Sequence, residues 1–315
     1  MKRVYGGVAL LMAGIAAVSI GVTALFGQYR TRREGGFAVM ASFYPLYTAA
    51  LQVAGGIDGV TVSCLTQPQT GCLHDYQLSP EEMIALKNAD ILILNGAGAE
   101  AFLDSALSQL PDLRVADTSE GISLLEGSGH EHEHDSEETE EEHAHAVNEH
   151  IWMSPARYAR QVENLRDALA GADPAHAAAY RANADRYLEK IREVEARAAG
   201  LAQELAGRDC VTFHDSAAYL AADLSLHVTA SLSIGEESGA SAGELAAAAD
   251  ALRGRDVLLL YDGQYPVEYG YLADYAASSR SVVLDTAVKA ADGGDPAGRW
   301  LEAMDQNLHS LENAK

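Results

Sequence analysis

Basic residues are scarce in this chain. Lys and Arg number 22 against 46 Asp and Glu, a net charge of -24. A nucleic-acid binder needs a basic face against the phosphates, so that class is excluded. Cysteine is scarcer still, with three in 315 residues, and the fold cannot rest on a disulfide framework. Cys64 and Cys72 are close enough to pair across a short loop, whereas Cys210 opens an apolar strand and reads as a small buried hydrophobe. The odd count leaves at least one thiol free. No cysteine precedes Cys64, which excludes a lipid-modified N-terminal cysteine. The common catalytic signatures are missing too. There is no His-Glu-x-x-His and no Gly-x-Ser-x-Gly, and the Gly-bearing segment 233–239 lacks the Lys of a phosphate loop. An apolar fraction of 48% nevertheless supplies a globular core, and the length suits one large or two medium domains.

Met1-Lys2-Arg3 precedes residues 4–26, a run of 23 without a charge. A helix of that length crosses a bilayer core. The run is long for a secretory signal, and Val22-Thr23-Ala24 is only a passable cleavage site. An uncleaved N-terminal anchor is therefore expected, with a cleaved signal peptide as the alternative. Either way the rest of the chain is exported. Arg30, Arg32 and Arg33 follow the span as Lys2 and Arg3 precede it, so flanking charge does not set its orientation.

Beyond a tether ending at residue 36, strand-like apolar runs alternate with helical patterns. Strands are predicted at 37–42, 60–65, 90–95 and 113–116, and helices from about Pro45, from Pro80 and from about Glu100. Ser79-Pro80-Glu81-Glu82 is a strong start signal, with Ser as N-cap, Pro at the first helical position and Glu three residues after the cap. Ser154-Pro155 opens a further helix. Asp173-Pro174 opens a very long one to about Leu205, with no internal Pro. Strands return at 209–213, 225–230, 257–261 and 281–284, with helices at 215–222, 242–252, 266–276 and 296–311. The pattern predicts an α/β protein with two mostly parallel four-stranded lobes joined by one long rigid helix. The expected divisions are 1–36 for anchor and tether, 37–172 for the first lobe, 173–206 for the connector and 207–315 for the second lobe.

The first lobe is interrupted at 129–149 by a run rich in His and acids. His130, His132, His134, His143 and His145 lie in it, and His150 follows. Residues 130–142 alone hold eight of the 46 acids. Such a run cannot build a core and is expected to be a solvated loop sampling divalent metal weakly. Imidazole suits zinc, copper or nickel.

Parallel α/β sheets bind ligands beyond the carboxyl ends of their strands. Four residues fall at such places. His214 follows Phe213 directly and Asp285 follows Leu284, while His74 and His150 lie in loops of the first lobe ahead of helices. Singly each is weak. Together, three imidazoles and one carboxylate can form a tetrahedral zinc shell in the cleft between lobes.

These segments resemble the metal-binding component of bacterial ABC transporters for zinc and manganese, over roughly 37–312. The matching motifs are Gly71-Cys72-Leu73-His74-Asp75-Tyr76-Gln77-Leu78-Ser79-Pro80, Glu149-His150-Ile151-Trp152-Met153-Ser154-Pro155, Thr212-Phe213-His214-Asp215-Ser216 and Leu284-Asp285-Thr286. The resemblance implies two α/β lobes joined by a long helix, His74, His150, His214 and Asp285 as metal ligands, and delivery of the ion to a permease and its ATPase. It also implies a binding protein rather than an enzyme, acting as a monomer. Departures exist. Asn148-Glu149 stands where the family often has Asp-Pro, Glu237-Ser238-Gly239-Ala240-Ser241 replaces a Glu-Pro-Ser segment, and Asp262-Gly263-Gln264 replaces Glu-Pro-Gln. Manganese members often carry Glu at the position of His214. Since manganese prefers oxygen ligands and higher coordination, zinc is the expected ion and manganese the alternative. A surface adhesin or sensor, and more remotely a metalloenzyme, are the competing classes.

Overall fold

The computed structural model describes residues 36–66, 73, 76–127, 147–232, 239–265, 270–291 and 293–315. The N-terminal apolar run, His74, Cys72 and His130, His132, His134, His143 and His145 lie outside the described residues. Residues 37–315 form one unit.

Among the described residues eight strands form two four-stranded sheets, all parallel. β1 (Phe37–Ala41), β2 (Val60–Cys64), β3 (Ile91–Leu94) and β4 (Arg114–Asp117) are ordered β2-β1-β3-β4. β5 (Asp209–Thr212), β6 (His227–Ser231), β7 (Asp256–Asp262) and β8 (Ser278–Leu284) are ordered β6-β5-β7-β8. The two orders are equivalent, so each sheet has one switch point where the chain leaves in opposite directions, between β1 and β3 and between β5 and β7. The helices are α1 (Tyr44–Ala54), α2 (Pro80–Lys87), α3 (Asp104–Leu107), α4 (Pro155–Ala172), α5 (Ala177–Leu205), α6 (Ala218–Asp223), α7 (Ala242–Leu252) and α8 (Arg299–Asn313).

Strand periodicity sets what each sheet buries. In the first sheet Val39, Ala41, Ile91 and Ile93 enter one core, while Met40 and Leu92 enter another on the opposite face. In the second sheet Val257, Leu259 and Tyr261 face one way, and Leu258 and Leu260 the other. Both faces are covered, which is why these strands read as unbroken apolar runs. Cys210 is buried in that second core as a free thiol whose pKa burial pushes up to about 12. Cys64 is also free, and burial pushes its pKa up to about 11.

The start signal at Ser79 forms as read. Its hydroxyl accepts from the Glu82 amide at 3.2 Å, and the Glu82 carboxylate accepts from the Ser79 amide at 2.8 Å. Other boundaries move. The long helix begins at Ala177 rather than beside Pro174, because the Asp173 carboxylate engages His176 Nδ1 at 2.6 Å and the Tyr180 hydroxyl at 2.8 Å, across a turn at 174–176. The expected helix near Glu100 is a short 3-10 turn, Ala101–Leu103, followed by one turn of α3. The described part of the expected helix at 266–276 is 3-10 as well, Gly270–Tyr275.

Helix α5 links the two sheets by serving both interiors. Tyr180, Ala184, Tyr187, Leu188 and Ile191 pack in the core of the first sheet, and Ala198, Leu201 and Leu205 in that of the second. Helix α8 does the same in the same direction, with Trp300, Ala303 and Met304 in the first core and Leu308 and Leu311 in the second. The two helices are pinned side by side where the Arg197 guanidinium clasps both oxygens of Glu312 at 2.8 Å and also meets Asp305. Two lobes that share two helices are joined by more than one linker.

Candidate metal centre

The loop that carries His150 is held at the switch point of the first sheet. Asn95, immediately after β3, donates its amide to the Glu149 carbonyl at 2.9 Å. Gln161 of α4 fixes that side chain by donating to Asn95 Oδ1 at 2.9 Å. Behind it, Glu100 is buried and receives hydrogen bonds from the Ser42 hydroxyl and from the backbone amides of Asn95 and Gly96. Gly96 has φ of 80° and would set a Cβ 1.8 Å from the Asp117 carboxylate, so only glycine fits there.

Burial raises the Glu100 carboxyl from an ordinary 4.5 to about 7. The folded chain therefore holds a proton that the unfolded chain has already released between about pH 4.5 and 7, and stability contributed by the protonated form is lost as pH rises through that window. Glu100→Gln is expected to flatten this decline in a series of denaturant unfolding midpoints across pH 4.5–7.5. An unchanged slope would contradict the assignment.

His150 is almost wholly buried and sits just before the 3-10 turn Ile151–Met153. Its ring Nδ1 lies 3.0 Å from Asn148 Oδ1. The orientation of that carboxamide is set, since Asn148 Nδ2 donates to the Asp215 carbonyl at 2.8 Å. A carboxamide oxygen only accepts, so the His150 proton belongs on Nδ1 and the lone pair on Nε2.

His214 follows β5 in extended conformation and is also buried. Its ring centroid is 4.9 Å from that of His150, with the planes at 87°. Here Nδ1 accepts from the Ser216 amide at 3.1 Å and has Asp262 Oδ2 at 3.5 Å. Asp262 ends β7, on the other side of the switch point. It is held by the Ser216 hydroxyl at 2.7 Å and by the Gln264 amide nitrogen at 3.2 Å. In the structure the Ser216 bond occupies the Nδ1 lone pair, so an ion on His214 Nε2 would require the proton to sit on Nδ1 and that bond to be exchanged for one to Asp262 Oδ2, an arrangement that orients histidine ligands and raises their basicity.

The two histidines come from different lobes and are tied by bonds that cross between them. The Tyr219 hydroxyl donates to the Asn148 carbonyl at 2.6 Å, and the Ser154 hydroxyl to Asp223 at 2.5 Å. The Trp152 indole donates to the Thr286 carbonyl at 2.8 Å, and the Trp300 indole to the Trp152 carbonyl at 2.9 Å. Gln264 closes the web by donating to the Thr286 hydroxyl at 2.9 Å.

Asp285 follows β8 on the neighbouring turn, and the structure does not gather it with the histidine pair. Among the described residues no three His, Cys, Asp or Glu side chains converge as a metal shell; His74 lies outside them. The Asp285 carboxylate instead meets Arg299 Nη2 at 2.6 Å and the Ala287 amide at 2.9 Å, both through Oδ1. A cavity of about 280 Å³ opens beside this turn, lined by Gln264, Asp285, Lys289 and Arg299 among others. Sequence reading missed Asn148 and Asp262 as partners of the histidines, although both stood out as departures from the family pattern. Arg299 carried no signal.

Residues 39–314 match the sequence profile of the family described as ZnuA, zinc-uptake complex component A, periplasmic. Among curated proteins, the iron-binding protein YfeA of Yersinia pestis is 31% identical over 160 residues, 51% of this chain and 47% of that protein. The zinc-binding lipoprotein AdcA of Streptococcus pneumoniae is 26% identical over 97% of this chain and 60% of its own length. The high-affinity zinc uptake system protein ZnuA of Bacillus subtilis is 26% identical over 88% of this chain and 86% of its own. The chain thus spans about half to three-fifths of the first relatives it matches. Among solved structures, the solute-binding protein FpvC of Pseudomonas aeruginosa with Ni2+ aligns with a TM-score of 0.71 at 22% identity, covering 89% of this chain and 96% of that one. Zn(II)-bound AdcA of Streptococcus pneumoniae aligns at 0.67 and 24%, covering 89% of this chain and 58% of that one. At these identities the structures establish the shared two-lobe fold.

Proposed function

Because this chain belongs to the zinc-uptake complex component A family, we propose that it captures zinc outside the cytoplasm and hands it to an ABC-type permease. The carrying observation is the pair of buried imidazoles, His150 and His214, 4.9 Å apart and contributed by different lobes. In this reading His74, and Asp285 once it leaves Arg299 on metal binding, complete a tetrahedral shell with them. A four-ligand shell leaves no position for a reacting water, so the role is binding and not catalysis. Manganese is the alternative cargo.

The lobe divisions at 172 and 206 separate the two halves of the shell, with α5 as connector. Residues 1–36 tether the monomeric chain to the outer face of the membrane. No described helix is long and apolar enough to cross a bilayer, and this anchor lies outside the described residues. The 129–149 loop gathers zinc weakly through its five histidines and supplies none of the tight shell, because a segment that must order itself to bind loses affinity to conformational entropy.

Competition titration of the chelator-stripped chain from residue 35 onward tests both statements. One tight zinc per chain is expected, with extra weak sites. Deleting residues 129–146 is expected to remove the weak sites and leave the tight affinity within about an order of magnitude. Loss of tight binding on deletion would move the site into the loop, and a tight site preferring manganese would change the cargo.

A further inference from the structure

We propose that Tyr219 is a positioning residue for the histidine pair: from the second lobe its hydroxyl fixes the backbone of the first lobe just before His150, and so sets how the two imidazoles face each other. This rests on the reading of His150 and His214 as ligands. Tyr219 lies on α6, soon after His214 in the chain, and is fully buried. Its hydroxyl donates to the Asn148 carbonyl at 2.6 Å and accepts from the Leu125 amide at 3.0 Å. The phenol thus uses its proton and a lone pair across the lobe boundary, and phenylalanine can supply neither.

The segment before His150 needs such a hold. Glu126 and Val147 form an isolated antiparallel bridge outside the named strands, and the Asn148 amide donates to the Leu125 carbonyl at 2.9 Å. No sheet ladder places these two stretches. Tyr219 bonds one residue of each, so a single hydroxyl fastens both to the second lobe.

Asn148 passes the hold on to the ring. Its Oδ1 accepts from the His150 amide at 2.9 Å and faces His150 Nδ1 at 3.0 Å, while its Nδ2 donates to the Asp215 carbonyl at 2.8 Å. The result is a closed circuit. It runs from His214 along the chain to Asp215 and Tyr219, across to Asn148 by two hydrogen bonds, and on to His150. The 3-10 turn Asp215–Ala217 runs directly into α6, so Tyr219 and His214 share one rigid stretch. The Tyr219 ring is braced as well. The Arg157 guanidinium lies over it, 4.8 Å from its centre, and meets Asp223 at the end of the same helix at 3.1 Å. Without the hydroxyl the Asn148 carbonyl is free to turn, and the carboxamide that orients His150 turns with it. Groups that orient a histidine ligand typically change metal affinity by about 10- to 100-fold.

The test is competition titration of zinc on the full chain and on Tyr219→Phe, Asn148→Ala, the double variant and Tyr187→Phe, with thermal unfolding of each metal-free protein. Tyr187 is the comparison, because its buried hydroxyl pairs with that of Tyr158 at 3.2 Å in the first core. Tyr219→Phe keeps the ring under Arg157 and is expected to fold. It is expected to bind zinc about tenfold more weakly, chiefly through faster release. Asn148→Ala is expected to lose about as much, and the double variant no more than the larger single loss, since both act on one circuit. Tyr187→Phe is expected to lower the unfolding midpoint and keep wild-type affinity. Unchanged affinity in Tyr219→Phe overturns the proposal, and so do additive losses in the double variant. An equal loss in Tyr187→Phe, or a Tyr219→Phe that does not fold, makes the hydroxyl a general structural one and overturns it too. His150→Ala and His214→Ala separate the two levels. If both keep zinc affinity, the reading of the pair as ligands fails. If both lose it while Tyr219→Phe does not, only the role of Tyr219 fails.

Discussion

Replacing His214 with alanine is expected to remove tight zinc binding. Structural zinc sites with four ligands are worth about 10–16 kcal/mol at neutral pH. One ligand then carries roughly 3 kcal/mol, a loss of at least about a hundredfold in affinity. The same loss is expected for His150→Ala. The two rings face each other edge to face at 4.9 Å, each is buried, and each has Nδ1 within reach of a fixed oxygen, Asn148 Oδ1 for one and Asp262 Oδ2 for the other. His227→Ala is the control. It lies at the start of β6, the strand beside β5 but at the end of the sheet opposite His214, with an exposed ring paired to Asp209. Competition titration with a chromophoric chelator reads all three. Wild-type affinity in either His150→Ala or His214→Ala would show that the pair is a packing contact and that the ion sits elsewhere.

Trp300→Ala is expected to be the most damaging single change to the fold. The indole is fully buried, stacks on Tyr158 at 4.1 Å with the planes at 17°, and donates to the Trp152 carbonyl. Truncating a buried tryptophan costs about 3–5 kcal/mol. That is a large share of the roughly 5–15 kcal/mol that holds a typical protein folded. Position adds to the effect. Trp300 lies on α8 where that helix enters the first core, and Trp152 is bonded in turn to Thr286 and packs beside His150 at 5.1 Å. The variant should therefore lose stability in guanidinium unfolding and also bind zinc more weakly than its folded fraction accounts for. Trp300→Phe keeps the stacking face but orphans the Trp152 carbonyl, at about 1–3 kcal/mol. A stability loss under about 1 kcal/mol for alanine would mean that the lobes are not joined through this contact.

Much of the architecture was legible because it depends on local pattern. The apolar runs at 91–94 and 257–260 announced strands covered on both faces, and Ser79 with Pro80 and Glu82 announced a helix start to the residue. The long helix was legible from length and composition. Its first turn was not, since the Asp173 carboxylate holds His176 and Tyr180 across a turn at 174–176. The short turn after Glu100 was read as a longer helix for a related reason. Helical propensity is judged over a window, whereas Asn95, Gly96 and Ser42 decide where the chain at Glu100 must go.

Residue order was enough to set the α/β class and to point to a divalent cation as the expected ligand. Strand and helix alternation, strand-end polar residues and the motifs around His150 and His214 are local or near-local features, and their spacing survives without coordinates. Only the tertiary structure decided which of those residues meet. It brought His150 to His214, set Asn148 against the one ring and the Ser216 amide and Asp262 carboxylate against the other, and turned Asp285 toward Arg299. It also made the C-terminal helix a second bridge between the lobes, a role that its amphipathic pattern could not distinguish from packing on one lobe. The physical reason is common to all of these. A residue's own pattern records that it will be buried or will end a strand. Its partner, 66 residues away in the case of Gln161 and Asn95 and 148 in the case of Trp300 and Trp152, is selected only when two separately folded surfaces close on each other.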